Sequence, residues 1–273
     1  MPPYVVASLI EKGGAGKTTT AIHVAEALGR LGRRVLLVEL DAQKNATRWI
    51  GADSAQNTLF EVLQDPEQDL ESAIGATVVP NVDLISGART LGMPERFLAT
   101  DASGNPRNQY EVLKRALERV PDRYDVVIVD CPPSVGLLNT NAIIAADLLL
   151  ISMDPSQLTY DGFVALALTL KQMSKNRLLP EIPKIAVLFT AWNIKWRIAK
   201  EVKTLVESAA TDRYYVFERA IRHRVIMRHL PNTKQTAFMT DDDSAREVAA
   251  DYSAAADELN LLIQGRPLAV VHP

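Results

Sequence analysis

Short, unbroken apolar runs alternate along this chain with longer stretches in which apolar residues return every three or four positions. Residues 4–10, 35–41, 82–87, 124–130, 148–153 and 184–190 are compact, largely aliphatic runs and predict buried strands. Between and after them, residues 21–28, 139–146, 158–175 and 245–263 carry helical spacing, the last preceded by a capping run, Asp242-Asp243-Ser244. Residues 57–75 predict two short helices around Pro66, and the turn-rich run 100–108 predicts an exposed loop between helices. Strand and helix in alternation predict an α/β fold: a mostly parallel central sheet with helices on both faces. One domain is expected over residues 1–263, followed by a C-terminal tail, 264–273.

Chemistry concentrates where these strands end. After the first run comes Glu11-Lys12-Gly13-Gly14-Ala15-Gly16-Lys17-Thr18-Thr19-Thr20, a glycine-rich turn that opens a helix. Glycines let backbone N–H groups converge on phosphate oxygens, and the helix N-terminus adds partial positive charge. Residues 13–19 are therefore a candidate phosphate cradle, with Lys17 reaching the β- and γ-phosphates and the Thr18 hydroxyl on Mg²⁺. The fourth strand ends in Asp130, placed to hold the water shell of Mg²⁺. Cys131 follows it with no histidine nearby to activate it, and is read as packing.

The usual P-loop glycine is replaced by Glu11, and the run Lys-Gly-Gly-x-Gly-Lys-Thr-Thr resembles the deviant Walker A motif of the ParA/MinD ATPases. The second strand leads into Asp41-Ala42-Gln43-Lys44-Asn45-Ala46-Thr47, which resembles the family's switch I, with Ala42 and Lys44 where relatives carry Pro and Gly. Residues 131–136 resemble switch II. The resemblance implies a single-domain P-loop NTPase that binds ATP and Mg²⁺ and hydrolyses the ATP. In it, Lys12 contacts phosphate across a homodimer and Asp41 orients the attacking water. It assigns no role to Glu39 or Lys44.

Composition narrows the rest. With 273 residues, 47% of them hydrophobic, the chain can bury a large core, and its formal charge of -3 announces no nucleic-acid binder. A single cysteine excludes an internal disulfide framework and fits the cytosol. No apolar run reaches the length of a membrane span, and no membrane partner is expected. Charge is nevertheless polarised: residues 195–234 hold ten Lys/Arg against four acids, and residues 235–273 hold two against seven. Lys195, Arg197, Lys200 and Lys203 form one candidate DNA-binding cluster, and Arg222, Arg224 and Arg228 a second. The bland alternative is a solvated helix face.

Resemblance to the ParA/Soj group implies nonspecific duplex DNA and a ParB-like protein that stimulates hydrolysis as partners, with the cycle run at the nucleoid. The match is loose from residue 184 onward, and with the cradle only a dozen residues in, no operator-binding helix-turn-helix domain is expected ahead of it. Two other readings stay open. One is an ATPase of the same kind that positions a protein organelle, a flagellum or chemoreceptors; the other is a metabolic P-loop ligase.

Overall fold

The computed structural model describes residues 2–10, 12–52, 55–65, 68–93, 97–100, 108–133, 136–208 and 214–265. In chain order the elements are β1 (Tyr4–Ser8), α1 (Lys17–Arg30), β2 (Val35–Glu39), α2 (Asn45–Ile50), α3 (Leu59–Gln64), β3 (Ile74–Ala76) and β4 (Val82–Ile85). There follow α4 (Val112–Leu117), β5 (Val126–Asp130), α5 (Leu137–Ala145), β6 (Leu148–Met153), α6 (Gln157–Lys175), β7 (Lys184–Phe189), α7 (Arg197–Ser208), β8 (Tyr214–Val216) and α8 (Asp243–Ile263). Single turns of 3-10 helix occupy Leu70–Ala73, Arg89–Gly92, Val225–Arg228 and Leu230–Thr233.

The eight strands form one sheet in the order β3-β4-β2-β5-β1-β6-β7-β8, parallel throughout except for the β3–β4 pair. Strands β2, β5 and β6 are buried along their whole length, which is why their sequences are continuous aliphatic runs. One face is covered by α1, α2 and α8, whose Ile22, Leu28, Trp49, Tyr252 and Leu259 pack on Leu37, Ile128 and Leu150. The opposite face carries Leu36, Val129 and Phe189 beneath Leu113, Ile143, Leu166 and Val202 of α4 to α7. Helix α8 begins at Asp243, two residues before the expected start, and takes its cap from the expected run, the Asp242 carboxylate accepting from the Ala245 N–H at 2.9 Å.

Register turns this sheet into a site. Strand β1 lies between β5 and β6, so the chain leaves it at the point where strand order reverses, and ligands in such sheets bind beyond the carboxyl ends there. Ser8 is level with Asp130, and Asp130 is level with Glu39. The cradle, Asp130 and the segment after β2 therefore share one edge.

The expected elements form with shifted ends. Strand β2 stops at Glu39 and leaves Asp41 on the following loop, and the expected second short helix in 57–75 is a single 3-10 turn that runs into β3. Residues 101–107 of the expected surface loop, Pro66 and residues 266–273 of the tail lie outside the described residues.

Candidate nucleotide site

Helix α1 opens without a side-chain cap. Its N-cap is Gly16 at φ 84°, a left-handed conformation that a side chain would strain, so the first N–H groups of the helix face outward with no internal partner. They face a cavity of about 580 Å³ walled by Gly13, Gly14, Gly16, Lys17, Thr18 and Thr19 on one side. That volume suits a nucleotide. Ala15 is buried instead, its carbonyl accepting from the Thr190 hydroxyl at 3.4 Å. Lys17 donates to the Lys12 carbonyl at 2.8 Å. Burial lowers the Lys17 ammonium from its usual range, while Asp130, Cys131 and Asp41 act in the opposite direction.

Asp130 is fully buried, and neither carboxylate oxygen has a hydrogen-bond partner among the described residues. Burial pushes it up to about 7 and neighbouring Glu39 and Asp41 add to this, against the nearby Thr18 hydroxyl and Lys17. An orphaned buried carboxylate beside a threonine hydroxyl is a hard-oxygen donor set suited to Mg²⁺. Cys131 is buried, its thiol directed to the Val129 carbonyl at 3.7 Å and pushed up by burial, so it packs rather than reacts.

Asp41 lies half-exposed on the cavity wall, with its Oδ1 accepting from the Gln43 N–H at 2.9 Å. What places it is Glu39, a residue to which sequence reasoning gave no role. The buried Glu39 carboxylate accepts from the Ala46 N–H at 2.6 Å, the Gly87 N–H at 3.1 Å, and the Thr47 N–H and hydroxyl. It thereby ties the start of α2 to the loop after β4. Gly87 completes the clamp: a Cβ there would stand 2.7 Å from the Asp41 carbonyl oxygen and 3.1 Å from that of Glu39. We expect Gly87→Ala to cost about 1–3 kcal/mol, as overpacking does, and to displace Asp41. Urea unfolding measures the first effect, and a fall in hydrolysis larger than any fall in nucleotide affinity reports the second.

Lys12, the second lysine of the cradle, turns away from the cavity. Its ammonium lies 2.9 Å from Asp154 Oδ2, 3.1 Å from the Ser156 hydroxyl and 3.2 Å from the Thr159 hydroxyl, beyond β6. Burial works against the Asp154 charge, but the Thr159 hydroxyl and Lys12 outweigh it and hold this carboxyl below its usual range.

The two predicted basic segments touch at one point. Trp192 pairs with Arg222 in an isolated parallel bridge, which sets the segment leading into α7 beside residues 221–224. Lys195, Lys200 and Arg228 are exposed and have no ion-pair partner among the described residues. Arg197 pairs with Glu201 at 2.6 Å and Lys203 with Glu207 at 3.6 Å. Arg222 grips the buried Asp251 with two bonds of 2.7 and 2.9 Å, and Arg224 holds Glu247. These last two arginines fasten their segment to α8.

Sequence reasoning did not find the far wall of the cavity: Arg48, Trp49, Pro231 and Asn232, with Gln43, Asn45 and Pro133 between. Gln43 and Asn45 lie in the run that resembles switch I and Pro133 in the one that resembles switch II, without a role of their own assigned there, but nothing local marks Pro231 and Asn232, which reach the site through tertiary packing.

A parallel sheet with a glycine cradle at its reversal point and acids at neighbouring strand ends defines a P-loop nucleotide-binding protein. Residues 4–182 match a family model described as an AAA domain. The sporulation initiation inhibitor protein Soj of Bacillus subtilis is 32% identical over 258 residues, covering 90% of this chain and 98% of that protein. The chromosome partitioning protein ParA of Myxococcus xanthus is 30% identical over 85% of this chain and 79% of its own length. Among solved structures, cobyrinic acid a,c-diamide synthase from Mycobacterium smegmatis with bound ADP and magnesium aligns with a TM-score of 0.77 and 26% identity, covering 99% of this chain and 100% of that one. The chain belongs to the ParA/Soj type of P-loop ATPase.

Proposed function

We propose that this chain is a DNA-partition ATPase that binds ATP and Mg²⁺ in the cavity at the end of β1, dimerises on ATP, and then binds duplex DNA without sequence preference. The observation that carries the reading is the convergence of an uncapped helix N-terminus, Lys17 and Asp41 at one nucleotide-sized cavity, with the orphaned carboxylate of Asp130 buried close to Lys17 and Thr18. Bound Mg²⁺ would be held by the Thr18 hydroxyl and Asp130 and would neutralise phosphate charge. Backbone N–H groups of residues 13–19 take the phosphate oxygens, and Lys17 stabilises charge on the transferring phosphoryl group. Asp41 orients the attacking water, and Lys12 closes the site across the dimer. The catalytic unit runs over residues 1–263 with 264–273 as a tail, and a ParB-like protein stimulates hydrolysis to release the dimer from DNA.

No helix among the described residues is long and apolar enough to cross a membrane. We place the protein in the cytoplasm, on the nucleoid. DNA would meet Lys195, Arg197, Lys200, Lys203 and Arg228, with Arg222 and Arg224 shaping that face through their pairs to α8. The test is binding to random-sequence duplex DNA with ATP, with ADP and without nucleotide, at two salt concentrations. Wild type is expected to bind only with ATP, more weakly at high salt, and Lys195→Glu/Lys200→Glu/Arg228→Glu to lose at least about tenfold. Arg222→Glu is a poor probe, because it removes the two guanidinium bonds to the buried Asp251 and sets a second carboxylate beside it, which would disturb the fold as well as the surface. A protein that binds ATP but DNA in no state would overturn the DNA half of the proposal.

Similarity to cobyrinic acid a,c-diamide synthase favours a second reading, a ligase that uses the same cradle to activate a small carboxylate. ATP turnover that requires a small carboxylic acid, and that ignores DNA, would replace the first reading with this one.

A further inference from the structure

His23 takes no part in the phosphate chemistry, yet it is completely buried on α1, and both of its ring nitrogens are engaged. The Ala237 N–H lies 3.1 Å from Nε2, and a backbone N–H can only donate, so Nε2 is the acceptor. The proton then sits on Nδ1, which donates to the Thr19 carbonyl at 2.7 Å. Burial pushes His23 down to about 4, which keeps this neutral form at physiological pH. The ring stacks on Tyr252 at 4.8 Å and meets the edge of Trp49 at 5.5 Å. Trp49 in turn donates its indole N–H to the Gln235 carbonyl at 2.7 Å.

These contacts define a brace. Residues 230–235 form a tight turn, closed by the Gln235 N–H on the Leu230 carbonyl at 3.1 Å, and this turn presents Pro231 and Asn232 to the cavity. The turn hangs from α2 at Gln235 and from α1 at Ala237, and the α1 bond is made by a ring that also grips Thr19 of the cradle. Pro231 offers an uncharged apolar surface for a base and Asn232 an amide that can pair with a base edge or a ribose hydroxyl, and neither brings the positive charge of the phosphate cradle.

Resting on the nucleotide reading above, we infer that His23 is a positioning residue that sets the Pro231–Asn232 wall against the phosphate cradle. It thereby governs affinity for the nucleoside half of a nucleoside triphosphate. The test compares binding of Mg-ATP with that of Mg-tripolyphosphate, which keeps the phosphates and lacks the nucleoside. His23→Phe retains the ring contacts and removes both hydrogen bonds. It is expected to weaken ATP about tenfold and to leave tripolyphosphate within about twofold. His23→Gln, whose longer side chain can bring its amide oxygen near the place of Nε2 to accept from Ala237, is expected to recover part of the loss, and it carries the same comparison if the Phe variant does not fold. Faster amide exchange at Ala237 in the Phe variant would support release of the wall. Equal weakening of both ligands would mark His23 as merely structural and overturn the inference, as would unchanged ATP affinity. A wild-type protein that binds neither ligand would overturn the nucleotide reading and the inference with it.

Discussion

Asp41→Ala is expected to bind ATP within about threefold of wild type and to hydrolyse it about 10²–10³-fold more slowly, the range typical of losing a positioned base. The separation follows from where each group is anchored. The N–H groups proposed to bind phosphate and Lys17 belong to the turn before α1 and to its first residues, whereas Asp41 belongs to the loop after β2. Removing its side chain leaves the cradle untouched. The Asp41 main chain is also held independently, with its carbonyl accepting from the Lys44 N–H at 3.1 Å and pressed against Gly87. The variant should therefore fold with the wall intact and lose only the carboxylate. Calorimetric binding of ATP beside a phosphate-release assay decides it. A parallel fall in affinity would make Asp41 a binding residue, and unchanged turnover would remove it from the chemistry.

The same loop shows what could and could not be read from the chain. Asp41 and Asp130 were legible as candidates because each sits at or just beyond a strand end, and Lys17 and Thr18 because a glycine-rich turn leads from β1 into the helix they open. Glu39 was not, because its meaning lies in donors from Ala46, Thr47 and Gly87, the last on another strand's loop. Lys44 is a departure whose conformation only coordinates reveal: at φ 58° it occupies the left-handed region, where the glycine of related motifs sits without strain. Strand β8 carries three half-buried residues, two of them tyrosines, too short a run to show a period. Pro231, Asn232 and the brace at His23 depend on contacts between residues far apart in the chain, 214 residues for His23 and Ala237 and 186 for Trp49 and Gln235. Charge counting found the basic region, yet it could not separate Lys195 and Arg228, which face solvent, from Arg222, which is spent on Asp251.

Lys12→Ala is expected to abolish ATP-dependent dimerisation, weakening it by more than about a hundredfold, while leaving the monomer folded and able to bind ATP. In this structure the Lys12 ammonium is not poised toward a partner; it is occupied by Asp154, Ser156 and Thr159 of its own chain. Any role across a dimer therefore requires that these bonds break first. Both side chains of the ion pair are about a quarter exposed, at 26% and 29%, and partly solvated pairs of this kind contribute about 0–1 kcal/mol. The restraint is small enough for phosphate binding to overcome. Asp154→Asn keeps an oxygen for the Thr159 and Ser156 hydroxyls and removes the charge that retains Lys12. It is expected to shift dimerisation about two- to tenfold toward lower protein concentration at saturating ATP. Sedimentation of the two variants with ATP and with ADP separates the possibilities. Loss of the dimer in Lys12→Ala together with a gain in Asp154→Asn identifies the resting ion pair as a restraint on assembly. An undiminished ATP dimer in Lys12→Ala would confine Lys12 to bracing the turn after β6 within its own subunit, and the deviant lysine would then be a structural residue.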